Sequence, residues 1–173
     1  GTGGFSGIEN LVGGTSTDTF TLSGGGTLTG SITGGLGTDT LTGDNVANTW
    51  TVTTANAGTL TGTGGFSGIE NLVGGTSTDA FTFGASGSLT GLIDGGLGID
   101  TADYSAVTGT VTVTLGTSIV NIETVTGGAG DTLAGANIAN TWSITGANAG
   151  TVTDGDGVGT ATFSSFANLV GGT

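Results

Sequence analysis

A chain of 173 residues with 13 Asp and Glu and no lysine, arginine or histidine carries a formal charge of −13. Phosphate binding draws on Lys and Arg, so this balance argues against nucleic acid and anionic membrane surfaces and points to cations as partners. With no His, Cys or Lys for nucleophilic or general-base work, and no Arg to hold an anionic substrate, an enzyme is not expected.

The composition also narrows the structural class. Forty glycines without proline, and without glycine at every third position, do not make collagen. Apolar residues reach 34% and alternate with threonine in the strand period of two, which disfavours disorder. There is no cysteine for a disulfide framework and no apolar run near the ~20 residues of a membrane span, so membrane insertion is not expected. Residues 1–173 are even in composition and read as one unit. The opening GTGGFSGIENLVGGTSTD returns residue for residue from Gly62 to Asp79, and the closing NLVGGT matches Asn71 to Thr76. The chain is therefore expected to begin and end in mid-repeat, as part of a longer chain or of a polymer.

Taken in order, short strands alternate with glycine-rich turns. GGTSTD at Gly13 leads into Thr19-Phe20-Thr21-Leu22, and GGLGTD at Gly34 into Thr40-Leu41-Thr42. Thr49-Trp50-Thr51-Val52-Thr53 follows, with TTANAGTL read as the next turn. Each strand places an apolar side chain inward and threonine outward. Leu11, Ile32, Val52, Leu72 and Ile93 precede successive turns at steps of 21, 20, 20 and 21, and Phe20, Leu41, Leu60, Phe81 and Ala102 open the strands after them. Two apolar columns in register predict an all-β chain, a parallel right-handed β-solenoid with windings of about 20 residues and a super-repeat of 61. Beyond Ala102 the register loosens. Ile93 to Val125 is 32 residues, Val111 to Leu115 alternates as a strand of unknown register, and the pairs Val125 with Leu133 and Ile144 with Val152 restore the columns. The last turn, Val152 to Phe163, is swollen by DGDGVG. No cap is visible at either end.

The nonapeptide GGxGxDxUx, U being a large apolar residue, is fitted completely by Gly34 to Thr42, and by Gly95 to Asp103 with Ala102 at the apolar place. GGTSTD at Gly13 and Gly74 has serine at the fourth position, and GGAGD at Gly127 is one residue short. In this the chain resembles the repeat region of RTX-like and giant repetitive bacterial extracellular adhesins. The resemblance implies a secreted, cell-surface filament or adhesin stalk, with Ca²⁺ at Asp18, Asp39, Asp79 and Asp100, and Asp131 as a fifth, imperfect position. Only Asp18 with Asp39, and Asp79 with Asp100, fall in adjacent windings. An aspartate in a glycine-rich turn also commonly caps its own backbone without metal, and both readings stay open.

Glu9, Glu70 and Glu123 are expected to be solvated outward side chains, and Trp50 and Trp142 core or strand residues. DGDG at Asp154 and Asp156 reads as a loop, with Ca²⁺ there as the weaker alternative. The leading functional expectation is a structural extracellular filament whose partners are copies of itself, or the continuing chain, stacked end to end, with surface glycans as a further partner. Rows of outward Thr-x-Thr suggest an ice-binding or other ligand-binding module as the alternative, although TLT at Thr40, TWT at Thr49 and TVT at Thr110 stand at different distances from their turns. A glycan-active enzyme would need an isolated carboxylate pair in a cleft.

Overall fold

The computed structural model describes residues 7–154 and 159–172. Strands β1 (Leu11–Gly14) and β2 (Thr19–Thr21) are followed by β3 (Ile32–Gly35) and β4 (Thr40–Thr42). A hairpin of β5 (Thr49–Thr54) and β6 (Ala57–Leu60) leads to β7 (Phe66–Ser67), β8 (Asn71–Gly75), β9 (Ala80–Phe83), β10 (Ile93–Gly96) and β11 (Thr101–Asp103). Then come β12 (Thr112–Thr114), β13 (Ile119–Val120), β14 (Thr124–Thr126) and β15 (Thr132–Ala134). A second hairpin, β16 (Asn140–Gly146) with β17 (Ala149–Asp154), precedes β18 (Thr160–Ser164) and β19 (Asn168–Val170). Among the described residues the chain is all-β, without a helix.

Three sheets result. An eleven-stranded sheet runs β1-β3-β7-β6-β5-β9-β11-β14-β18-β17-β16; a five-stranded sheet runs β13-β10-β8-β4-β2; a three-stranded sheet runs β12-β15-β19. The chain passes repeatedly from the large sheet to one of the smaller ones and back. Pairings between successive passes are parallel, and the antiparallel pairs are those of the two hairpins and of the strand that follows each. Alternation puts one side chain of each strand into the interior. Ile32, Leu41, Trp50, Phe81, Leu72 and Val125 are all fully buried there.

Much of the apolar register follows the sequence. Leu11 pairs with Ile32, Phe20 with Leu41, Leu72 with Ile93 and Phe81 with Ala102. Val52 and Leu60 depart from it. TTANAGTL is a hairpin rather than a crossing turn, and Trp50 faces Leu60 across an antiparallel pair while Val52 stacks on Phe83. The reversal is made by Asn56, held at φ 52°, a left-handed conformation that asparagine tolerates better than most residues. Ile144 and Val152 likewise belong to the second hairpin, where Val152 faces Trp142. The loose segment also resolves: Ile93 pairs with Ile119, Ala102 with Val125, and Val113 with Leu133.

Each hairpin has a consequence for the turns. GGTSTD at Gly13 and GGLGTD at Gly34 carry the chain from the large sheet to the five-stranded one, as β1 to β2 and β3 to β4. The same motif at Gly74 and Gly95 carries it back, as β8 to β9 and β10 to β11. The first hairpin thus reverses the direction in which the repeated turn crosses.

Candidate functional site

The turn carboxylates are the charged groups that the fold draws inside. Asp39, Asp79, Asp100 and Asp131 are 0, 0, 0 and 1% exposed, whereas Asp18, in the first layer, is half-buried. Glycine makes room for them. A Cβ on Gly74 would stand against Asp79 Oδ2 and within 2.5 Å of the Gly95 carbonyl oxygen, and the next glycine along the following turn, Gly96, holds φ at 89°.

Asp39, Asp79 and Asp100 cap the backbone of a neighbouring layer rather than their own turns, while Asp131 does both. Asp18 N–H donates to Asp39 Oδ1 at 2.7 Å, and Asp39 N–H donates to Glu70 Oε2 at 2.8 Å. On the returning side Asn48 donates to Asp79 Oδ1 from both its backbone N–H and its Nδ2, each at 2.8 Å. Asp79 N–H donates to Asp100 Oδ1 at 2.7 Å, and Asp100 N–H to Glu123 Oε2 at 2.6 Å. Val111 N–H donates to Asp131 Oδ1 at 2.8 Å. Every bond satisfies a turn N–H that would otherwise be costly to bury.

The structure therefore brings together Asp18 with Asp39 and Asp79 with Asp100, and keeps the two pairs on separate crossings. It also corrects the reading of two glutamates. Glu70 and Glu123 are not solvated outward residues; they close the two ladders, and Glu70 Oε1 also accepts from Asn56 Nδ2 at 2.9 Å. Glu9 is exposed, as expected. Asn48 was missed as well. The signal for both lay in spacing, since Asp39 to Glu70 and Asn48 to Asp79 are each 31 residues. Asp156 lies outside the described residues.

The second carboxylate oxygen is the unusual atom. Asp39, Asp79 and Asp100 Oδ2 are buried and accept no hydrogen bond. Asn48 shows what the place calls for: its Nδ2 donates to the carbonyls of Asp44, Val46 and, from the adjoining layer, Gly74. At the aspartate turns Oδ2 lies with the next layer's carbonyl around one glycine, Gly95 O for Asp79 and Asn121 O for Asp100. An acceptor stands where Asn48 places a donor. Burial, reinforced by repulsion from Asp79, Glu123 and Asp94, pushes Asp100 up to about 6 against the opposing N–H bond from Asp79. Burial raises Asp79 too, against the hydrogen bonds from Asn48. Asp44, half-buried, is held below the usual carboxylate range by N–H groups of Gly25, Asn45 and Gly24.

A bare carboxylate oxygen beside backbone carbonyls is the all-oxygen chemistry that Ca²⁺ takes, so the donor type fits at Asp39, Asp79 and Asp100. Asp131 fits less well, because Gly128 N–H already occupies its Oδ2 at 2.6 Å. Among the described residues no three acidic groups gather at one point, so carbonyls would have to supply most of a coordination shell. Elsewhere, a cavity of about 350 Å³ bounded by Phe83, Leu89, Ile93, Tyr104 and Val107 has no carboxylate on its wall. No family model, curated protein or solved structure matches the chain, and the functional reading rests on these turns and on the sheets they join.

Proposed function

We propose that the chain is a segment of a right-handed parallel β-solenoid that builds an extracellular stalk or matrix filament, without catalytic activity, and that Ca²⁺ stiffens the turns at Asp39, Asp79 and Asp100, with Asp18 at the edge. The observation that carries this reading is the pair of carboxylate ladders. Buried acidic groups repeated layer after layer, each tied to the next layer's backbone, suit a scaffold held rigid along its length. A charge of −13 with no basic residue adds a demand for cations. The partners in this reading are further copies of the same fold stacked end to end, with surface glycans on the outer faces.

Electron microscopy with and without a calcium chelator tests it. Unbranched fibres one unit wide that fray on chelation are expected. Fibres indifferent to chelator would remove the metal, and compact single particles would remove the filament.

A second reading has its own observation. Thr49, Ala80, Thr101, Thr124 and Thr162 form one outward row of the large sheet, and Thr51, Thr82, Asp103, Thr126 and Ser164 the next. TLT at Thr40 and the Thr112–Thr114 strand lie in the other sheets, yet five strands share this face. Broken only at Ala80 and Asp103, hydroxyls stand about 4.8 Å apart across strands and about 6.7 Å along them, an array that could organise water as ice does. Thermal hysteresis, abolished by Thr101→Tyr with Thr124→Tyr, would support it; none in the unmodified chain would dismiss it.

A further inference from the structure

The two ends of the described structure are complementary, and the interior of the same chain supplies the template. Residues Asn10 to Asp18 repeat Asn71 to Asp79 without a change, and Phe20 corresponds to Phe81. The second hairpin repeats the first: GDTLAGANIANTWSI from Gly130 to Ile144 parallels TDTLTGDNVANTWTV from Thr38 to Val52. Inside the chain these two sequence types are already docked. Strand β9 lies parallel on β5, Trp50 stacks on Phe81 at 5.5 Å and 16°, and Asn48 gives two hydrogen bonds to Asp79.

At the edges of the described structure each half lacks its partner among the described residues. Strand β16, the copy of β5, is the outermost strand of the large sheet, and β2, the counterpart of β9, is the outermost of the five-stranded sheet. Asn140 holds the same local shape as Asn48, its Nδ2 donating to the carbonyls four and two residues back. Among the described residues no carboxylate accepts from its side chain, and no N–H or O–H donates to the carboxylate of Asp18. Trp142 is half-buried where Trp50 is closed off. Ile144 is 59% exposed where Val52 is 0%, and at the other end Val12 is 73% exposed.

We propose that the free edge of β16 is a docking site for Asp18, strand β2 and the Leu22 that follows it in a second copy of this chain. In the docked pair Asp18 of the second copy takes the place of Asp79 at Asn140, Phe20 covers Trp142 and Leu22 covers Ile144. Strand β1 of the incoming copy takes the place of β19 on β15, an exchange of one Asn-Leu-Val for another. Since β19 contributes three residues, all exposed, little packing opposes the exchange. The contact is heterologous, with different surfaces on the two copies, so it propagates instead of closing. This inference rests on the filament reading and specifies its joint.

Two variants test it, each blocking one face: Phe20→Asp on the strand side and Ile144→Asp on the β16 side. Ile144 is exposed, so that change spares the fold even if Phe20→Asp frays the first layer. Sedimentation velocity should show concentration-dependent growth of the unmodified chain, with each variant alone weakened about 30-fold or more in association. Mixed together, the variants should form one-to-one dimers that grow no further, because each keeps the face the other has lost. On a Trp50→Phe background, Trp142 emission should move to the blue as association proceeds. Growth by either variant alone as readily as by the unmodified chain would overturn the docking site and leave the filament reading standing. An unmodified chain that stays monomeric at every concentration would overturn both.

Discussion

Replacing Asp100 by asparagine separates the charge of a turn carboxylate from its shape. The Asp79 N–H keeps its acceptor, and the new amide meets the Asn121 carbonyl much as Asn48 meets Gly74. Burial raises Asp100 from 3.8 to about 6. At about 1.36 kcal/mol per unit the ionised form costs at most about 3 kcal/mol. Its chain neighbour Ile99 is 66% exposed, so solvent screens part of this field, and ~1–2 kcal/mol is the working figure. The folded chain holds the proton up to about pH 6 and the unfolded chain releases it near 3.8, so the contribution is fully present below about pH 3.8 and is lost as pH rises through about 6. In chelator at about pH 7.5, urea unfolding followed by tryptophan fluorescence should find Asp100→Asn more stable than the unmodified chain by ~1–2 kcal/mol, with the difference vanishing near pH 3.5. Saturating Ca²⁺ should stabilise the unmodified chain by more than the variant, which keeps the turns at Asp39 and Asp79 but has lost the one at Asp100. A variant less stable than its parent in chelator, or a parent whose stability rises between about pH 4 and pH 7, would refute the reasoning.

Other substitutions probe the layers and hairpins. Gly74→Ala should cost several kcal/mol, because its Cβ would stand within 2.5 Å of the Gly95 carbonyl oxygen; a thermal melt within a degree of the parent would contradict the packing. Trp50→Ala removes a fully buried ring that stacks on Phe81 and meets Phe66 edge-on at 6.1 Å, and should cost ~3–5 kcal/mol in denaturant titrations. Trp142→Ala at the matching place should cost about half as much in dilute, unassociated chain, and equal losses would count against the difference between the two hairpins. Asn56→Ala strains a φ of 52° and deletes Nδ2 bonds of 2.9 Å to Glu70 and to Thr90. A loss of ~2–3 kcal/mol is expected, with Asn56→Gly recovering only the part due to strain.

The apolar alternation carried the strands, the inward columns at Leu11, Phe20, Phe81 and their partners, and the pairing of the four principal aspartates. It could not carry the hairpins. Period two states that a segment is extended, not whether its neighbour runs parallel or antiparallel, so Val52 and Leu60 read as further steps of the same column. The residue that decides the matter is Asn56, one asparagine among small residues, and its effect is a backbone angle. Reading the glutamates failed for a related reason. Glu70 and Glu123 sit in phrases that look like surface, and only the neighbouring layer, 31 or 23 residues away in sequence, supplies the N–H groups that draw them in.

The hairpins also set a mechanical property. Each contributes two strands to the eleven-stranded sheet and none to the sheets opposite, where β8 and β10 remain direct neighbours while β7 and β9 are separated by β6 and β5. At about 4.8 Å per strand one side gains roughly 10 Å over the other at every hairpin. In the proposed filament such a stack would arc toward its shorter side. A long assembly of these units would follow a coil, and under tension it could lengthen by unbending before any strand is pulled from its neighbour, with a compliance set by how often the hairpin recurs.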